Sequence, residues 1–189
     1  TQKGLIDVHK VADKYLFEIS ESLIGKEIMT ITRYSKTPAG GGIFGGEEIN
    51  RQVVRFEKGM NNTMILRSIT YVIMTPDEDK PITKSVKNSN ADPIIGIYDI
   101  LAYKKDESGK ENVASVITSA FDSDLQTFSL NSINKQLLSI QAFQKDKSFI
   151  QFVKSFPINT EIRTTKTFTT VAPQISRNPT PKIGTDFPS

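Results

Sequence analysis

Residues 50–74 read NRQVVRFEKGMNNTMILRSITYVIM, and this stretch sets the architecture of the chain. Val54 and Phe56 alternate with Val53, Arg55 and Glu57, which is the period of two that a half-buried strand requires. The letters KGMNN then supply turn residues, and TMILRSITYVIM resumes the strand pattern. The segment therefore predicts an antiparallel β-hairpin.

The same period recurs on both sides of this hairpin. It is present in YLFEIS at 15–20, in EIMTITRY at 27–34 and in EIRTTKTFTT at 161–170. PIIGIYDILAYKK at 93–105 is apolar on both faces, as is typical of a central strand. A polar turn separates it from VASVIT at 113–118, which predicts a second hairpin.

Helical patterns are few. In DKSFIQFVKSFP, four apolar residues follow a helical spacing, Asp146 is placed to cap and Pro157 to end the segment, so we predict a short helix over 146–156. Strands with turn signals between them and few helices indicate a mainly β fold. We expect an antiparallel β-rich domain, sandwich-like or built on a strongly curved sheet, with one or two short helices.

The chain of 189 residues is expected to hold one β-rich domain over residues 1–172. Residues 173–189 contain four prolines and no periodicity, so we expect an extended tail or linker toward a missing downstream domain.

Composition removes several classes of site. There is no Cys, which excludes disulfides, thiolate metal sites and Cys nucleophiles. The net charge of +3 comes from 24 basic and 21 acidic residues that are interleaved, so we expect no nucleic-acid partner. No apolar run is long enough to span a bilayer, and no leader is visible.

The single histidine, His9, alternates outward with Asp7 on a strand-like stretch, and we interpret it as a surface residue rather than a zinc ligand. The acidic groups PDEDK at 76–80 and DSD at 122–124 do not fit a twelve-residue calcium loop, so turns between strands are the favoured interpretation. We predict no catalytic residue and no metal site in this chain.

The stretch TPAGGGIFGGEE at 37–48 raises the question of a phosphate cradle. Gly40, Gly42 and Gly45 have the spacing GxGxxG, but a strand-like segment follows them where a dinucleotide site needs a helix. Glu47 stands where a phosphate-binding loop needs lysine. We therefore predict a strand-to-strand connection that acts as a contact loop.

Ile43 and Phe44 lie among these glycines and need a surface to cover them. We expect the loop to be poorly ordered in the isolated domain and to order against the missing catalytic domain. The predicted interdomain or substrate contact residues are Gly40, Gly41, Gly42, Ile43, Phe44, Gly45, Gly46, Lys87, Asn88 and Asn90.

Four long collinear stretches carry a family resemblance. They are GLIDVHKVADKYLFEISESLIGKEIMTITRYSKTPAG, EEINRQVVRFEKG, VKNSNADPIIGIYDILAY and DKSFIQFVKSFPINTEIRTTKTFT. Together they resemble the uncharacterised N-terminal domain that precedes the catalytic domain in large bacterial zinc-dependent metalloproteases. In that family an HExxH helix in a later domain holds the zinc, and this chain has no HExxH.

The resemblance implies a non-catalytic accessory domain, either a pro-domain or a substrate-contacting one. It implies a secreted, periplasmic or outer-membrane-associated protein, with zinc in the missing catalytic domain and no cofactor in this chain. The expected partners are that downstream domain and a protein or peptide substrate. The alternative is an independent envelope module that binds peptide or glycan at a sheet edge or face. A self-sufficient hydrolase ranks third.

Overall fold

The structure is a computed structural model that describes residues 1–12, 14–37, 43–71, 91–105, 109, 111–115, 117–171 and 186–188. The described residues form mainly antiparallel strands in two sheets, with short helices between them. The predicted mainly β, antiparallel fold class is confirmed.

Seven strands make the larger sheet. In chain order they are β1 (Asp7–Val11), β2 (Lys14–Ile19), β3 (Glu27–Arg33), β4 (Glu48–Lys58), β5 (Thr63–Ile69), β6 (Ile94–Lys105) and β7 (Glu111–Ser115). Their order in the sheet is β1-β2-β7-β6-β5-β4-β3, and all neighbours are antiparallel. Both predicted hairpins are present as β4–β5 and β6–β7, and β6 holds the central position.

The turn of the first hairpin follows its sequence. Asn61 and Asn62 both have positive φ, at 54° and 59°, a conformation that asparagine tolerates better than most residues. The Gly59 amide donates to the Thr63 carbonyl at 2.8 Å and closes the turn. Beyond it, alternation places Val54 and Phe56 in the core.

The connection between β2 and β3 shows that the sheet is strongly curved. It runs from the second strand of the sheet to the seventh, a separation of about 24 Å in a flat sheet. The connecting residues 20–26 instead fold into turns, in which Leu23 N donates to Ser20 O at 2.9 Å and Lys26 N to Leu23 O at 3.0 Å. A connection this compact cannot span a flat sheet, and the sheet must therefore curl.

The second sheet covers the inside of this curl. It contains β8 (Ile140–Ser155), β9 (Thr160–Thr170) and β10 (Asp186–Pro188), in the order β10-β9-β8. Val153 of β8 packs in the main core with Phe17, Ile19 and Leu66 of the curved sheet. A second, smaller core joins Tyr34, Ile49, Leu130, Leu138 and Phe168.

The predicted helix over 146–156 is wrong, because these residues belong to β8. Lys145–Ser148 bulge out of the β8–β9 ladder, where Gln144 pairs with Thr167 and Phe149 with Thr165. A second irregularity follows between Ile150 and Phe152. Each shift breaks the period of two, so the apolar residues imitate a helical spacing while pairing with β9 decides the structure.

Short helices lie between β7 and β8. They are α1 (Thr118–Phe121), a 3-10 turn (Gln126–Phe128) and α2 (Ser132–Leu137). Asn131 caps α2 by accepting a hydrogen bond from Asn134 N at 2.8 Å, and its amide donates to Ile49 O of β4 at 2.8 Å. One residue thus starts the helix and fixes it to the curved sheet.

The predicted domain boundary at residue 172 lies outside the described residues, as does most of 173–189. Within that tail the structure describes Asp186–Pro188, which pairs with Thr165–Thr167 of β9. In the part of the chain that the structure describes, no helix has the length and apolar character needed to cross a membrane.

Candidate functional site: a groove along an edge strand

Strand β3 forms an edge of the curved sheet. It pairs with β4 on one side, and no described strand pairs with it on the other. Its residues alternate as predicted: Ile28, Thr30 and Thr32 are half-buried, whereas Met29 and Ile31 are 59% and 39% exposed. The outer side of β3 therefore offers backbone donors and acceptors beside exposed apolar side chains.

A groove of about 690 Å³ runs along this edge. Every residue of β3 from Glu27 to Arg33 lines it, whereas β9 contributes the alternate residues Thr160, Ile162 and Thr164. Consecutive residues line a groove when a strand presents its backbone edge, and alternate residues do so when it presents one face. The groove therefore lies between the edge of β3 and the inward face of β9.

The floor of the groove is apolar and aromatic. Phe17, Val54 and Phe56 are at most 5% exposed and reach it from the main core. Phe121 packs against Phe17 with ring centroids 5.6 Å apart and against Phe128 at 4.7 Å. Side chains that enter the groove would meet a hydrophobic surface built from both sheets and the α1 region.

A buried lysine stabilises one wall of the groove. Lys166 of β9 is 2% exposed, and its ammonium donates to the backbone carbonyl of Phe128 at 2.5 Å. Burial lowers the pKa of Lys166 to about 7, against the opposing influence of Asp124 and Asp122. The contact fixes the 3-10 turn that carries Phe128 into the groove.

The loop around this turn is tied down by further charged pairs. Asp124 accepts from Ser129 Oγ at 2.7 Å and from Lys135 Nζ at 2.5 Å. Asp122 Oδ1 lies 2.5 Å from Lys145 Nζ. The acidic stretch 122–124 is thus a turn whose carboxylates pair with lysines, which agrees with its interpretation from the sequence.

The two ends of β3 carry opposite charges. Glu27 accepts a hydrogen bond from the Tyr71 hydroxyl. Arg33 donates to Gly46 O at 3.0 Å and lies 3.4 Å from Glu48 Oε2, while Arg51 approaches the same carboxylate oxygen at 2.8 Å. Both ends line the groove.

The predicted glycine contact loop connects β3 to β4, and its C-terminal end lies beside the Arg33 end of the groove. Ile43 packs on the second core of this same domain, so it does not need another domain to cover it. Phe44 remains 70% exposed. Gly46, at φ 94°, donates to Tyr34 O at 2.6 Å and returns the chain to the sheet.

The other predicted contact residues do not take part in this description. Gly40, Gly41 and Gly42 lie outside the described residues, and so do Lys87, Asn88 and Asn90. The prediction that the loop is poorly ordered in the isolated domain also falls on these positions and stays a prediction. Of the predicted set, the structure places Gly46 beside Arg33, which lines the groove.

His9 belongs to a polar cluster on the outside of the curved sheet. Its Nε2 lies 2.9 Å from Glu18 Oε2, and Asn112 Nδ2 donates to Glu18 Oε1 at 2.9 Å. Lys104 Nζ is 3.5 Å from the same carboxylate. Burial alone would raise the pKa of Glu18, but the hydrogen bonds from Asn112 and His9 and the charge of Lys104 together lower it.

This cluster joins four adjacent strands, β1, β2, β7 and β6, around one buried carboxylate. In the described part of the chain no three His, Cys, Asp or Glu side chains come together to hold a metal ion. Because its side chains link four neighbouring strands, we assign the cluster to the stability of the sheet.

Sequence reasoning missed the groove, although one signal for it was present. EIMTITR has apolar residues on both faces at 28, 29 and 31, which is unusual for a strand with a solvated outer face. That pattern does not say which strand of a sheet lies at its edge. The edge position follows only from the pairing order.

Comparisons with known proteins identify two family models. Residues 46–186 match "Domain of unknown function (DUF5117)", and residues 1–37 match "Domain of unknown function (DUF5118)". No curated protein matches the chain, and no solved structure does. The glycine loop separates the two matches, yet β3 of the DUF5118 match pairs with β4 of the DUF5117 match. The DUF5117 match covers more than half of the chain, so the chain belongs to the DUF5117 family.

Proposed function

We propose that this chain is a non-catalytic accessory domain that holds an extended segment of another polypeptide along the edge of β3. The observation that carries the proposal is the groove, which has an apolar floor and is lined by all seven residues of an edge strand. A peptide that adds to such an edge gains main-chain hydrogen bonds, and its alternate side chains enter the groove.

The groove favours a peptide over a glycan. Its floor is phenylalanine and aliphatic side chains, and one wall is a strand edge whose backbone groups are spaced for another strand. Sugars are bound by large aromatic faces with polar groups around them, and the chain has no Trp. An extended segment of about seven residues would match the length of β3.

The wider context of the proposal rests on the resemblance to domains that precede the catalytic domain of bacterial zinc metalloproteases. In this proposal the protein is secreted, periplasmic or attached to the outer membrane. The partner is a downstream catalytic domain that holds the zinc, and the captured strand belongs to its protein substrate. An independent envelope module that binds peptides would use the same groove without that partner.

The mode of binding can be tested with a neutral peptide, acetyl-Thr-Val-Thr-Val-Thr-Val-Thr-amide, and calorimetry on the full chain. In an antiparallel ladder only alternate peptide amides point toward β3. We expect N-methylation of one alternate set of residues to abolish binding and N-methylation of the other set to leave it nearly unchanged. Equal effects of the two sets would contradict strand addition.

The protease context has a separate test. The gene beyond Ser189 should encode an HExxH motif, and a full-length protein with Thr30→Pro or Met29→Pro should cleave unfolded protein substrates more slowly. One of these two prolines removes an amide that points away from β4, so that variant keeps the sheet intact. A stop codon after Ser189 would favour the independent module.

A further inference from the structure

The outer face of β3 carries a row of side chains with a charge at each end. Glu27 and Arg33 have the same parity in the strand as Met29 and Ile31, so all four point to one face. Met29 and Ile31 are 59% and 39% exposed. A strand laid beside β3 would therefore meet acid, apolar, apolar and base in that order.

Both end charges have room for a new partner. Glu27 accepts from Tyr71, a neutral hydroxyl, and Arg55, the residue opposite it in β4, pairs with Glu57 and Asp92 instead. Glu48, the carboxylate nearest Arg33, is held by Arg51 through two contacts of 2.8 and 3.1 Å, both shorter than its 3.4 Å contact to Arg33. Arg33 can therefore pair with an incoming carboxylate while Glu48 keeps its main partner.

The direction of an added strand follows from the sheet. Each pair of neighbours in the curved sheet is antiparallel, and antiparallel pairing is the more stable per residue. In an antiparallel partner the first residue lies opposite Arg33 and the seventh opposite Glu27. Directly opposite residues interact, and opposite charges stabilise such pairs.

We propose that the strand captured at β3 runs antiparallel to it, with an acidic residue first, a basic residue six positions later and apolar or β-branched residues between them. Glu27 and Arg33 are then the residues that select the partner and set its register. This inference rests on the proposed function, because it names the class of polypeptide segment that the groove takes.

The sequence of β3 itself satisfies this rule. In an antiparallel pair centred on Thr30, Glu27 lies opposite a second Arg33, and Met29 lies opposite a second Ile31. A second copy of the chain is thus the competing occupant of the edge. We assign the edge to a separate extended segment, because β9 of the same chain already lines the other side of the groove with Thr160, Ile162 and Thr164.

The experiment compares three peptides on the full chain by calorimetry at low salt: acid-first Glu-Val-Thr-Val-Thr-Val-Arg, base-first Arg-Val-Thr-Val-Thr-Val-Glu and the neutral Thr-Val peptide, all acetylated and amidated. We expect the acid-first peptide to bind roughly five- to thirtyfold more tightly than the base-first one. The preference should shrink as salt is raised.

The double variant E27R/R33E is the matched control, and it should reverse the preference while its thermal unfolding shows a folded chain. Equal binding of all three peptides would overturn the charge rule and leave the proposed function standing. Binding of none would overturn the proposed function itself. Sedimentation of the protein alone completes the test: a dimer that either single swap dissolves and the double swap restores would assign the edge to a second copy instead.

Discussion

Lys166 has an environment that its strand pattern does not reveal. The period of two in EIRTTKTFTT places Lys166 on one face of β9 with Ile162, Thr164 and Phe168. What alternation does not show is that this face is covered by the loop at 122–130. The lysine is therefore buried with its ammonium on Phe128 O.

This burial predicts a rise in stability with pH. The pKa of Lys166 falls from 10.5 to about 7 in the folded chain, so between these values the unfolded state binds more protons and the free energy of unfolding increases with pH. The gain between pH 7 and 9.5 is on the order of 3 kcal/mol. Urea unfolding at several pH values should show this slope in the wild type and lose it in Lys166→Met.

Lys147→Met is the control for that series, since Lys147 is exposed on β8. Its unfolding free energy should follow the wild-type pH dependence. A slope that is unchanged in Lys166→Met would show that the buried ammonium is not its source.

Glu18 predicts a loss of stability at acidic pH. Its pKa is lowered in the folded chain, so its contribution is present above the unfolded value of 4.5 and is lost as pH falls through the folded value. Glu18→Gln should cost about 1 to 3 kcal/mol at pH 7, because His9 and Lys104 lose their carboxylate. Chemical unfolding at pH 7 and in acid checks this; Glu21→Gln, in an exposed turn, should cost little.

At the scale of elements, the strands that alternate regularly could be predicted, whereas the strongly bulged β8 could not. Strands β2, β3, β5 and β9 follow the period of two, since each has one face on the core. Strand β8 departs from it because Lys145–Ser148 bulge opposite Lys166. A bulge is fixed by pairing between distant segments, which a local period does not contain.

The candidate site was less predictable for a related reason. The glycine loop is a local signal and was found, whereas the groove is made where β3, β9 and the α1 region meet. Which strand becomes an edge depends on the order of all seven strands. Sequence periodicity predicts which residues of a strand share a face, but it does not predict which strands are neighbours in the sheet.

The element α2 offers a test of how the region beside the groove is fixed. Asn131→Ala removes both the cap of α2 and the hydrogen bond to Ile49 O, and should cost about 1 to 2 kcal/mol. Asn131→Asp keeps the acceptor that caps the helix and should recover part of that loss. Thermal unfolding of the three proteins measures both values; equal melting points for Asn131→Ala and wild type would contradict the assigned role.

At the scale of the whole molecule, the two family matches form one folding unit. Residues 1–37 supply β1 and β2 at one side of the curved sheet and β3 at the other. They also supply five buried residues of the main core, Ile6, Val8, Tyr15, Phe17 and Ile19. Without residues 1–37, the DUF5117 part would expose this core and two unpaired strand edges.

A truncated chain tests this directly. We expect residues 46–189 alone to be unfolded or aggregated, by circular dichroism and size-exclusion chromatography. Co-expression with residues 1–45 should restore a soluble complex, because β2 pairs with β7 and β3 with β4 without need of the covalent link. A truncated chain with cooperative unfolding would contradict the single-unit account.

The central claim is that β3 receives an extended strand, and amide hydrogen exchange across the chain tests it most directly. With saturating acid-first peptide, we predict slower exchange for the outward-pointing amides of Glu27–Arg33 and no change at β1, the opposite edge of the same sheet. Unchanged exchange along β3, or protection confined to β1, would contradict the account.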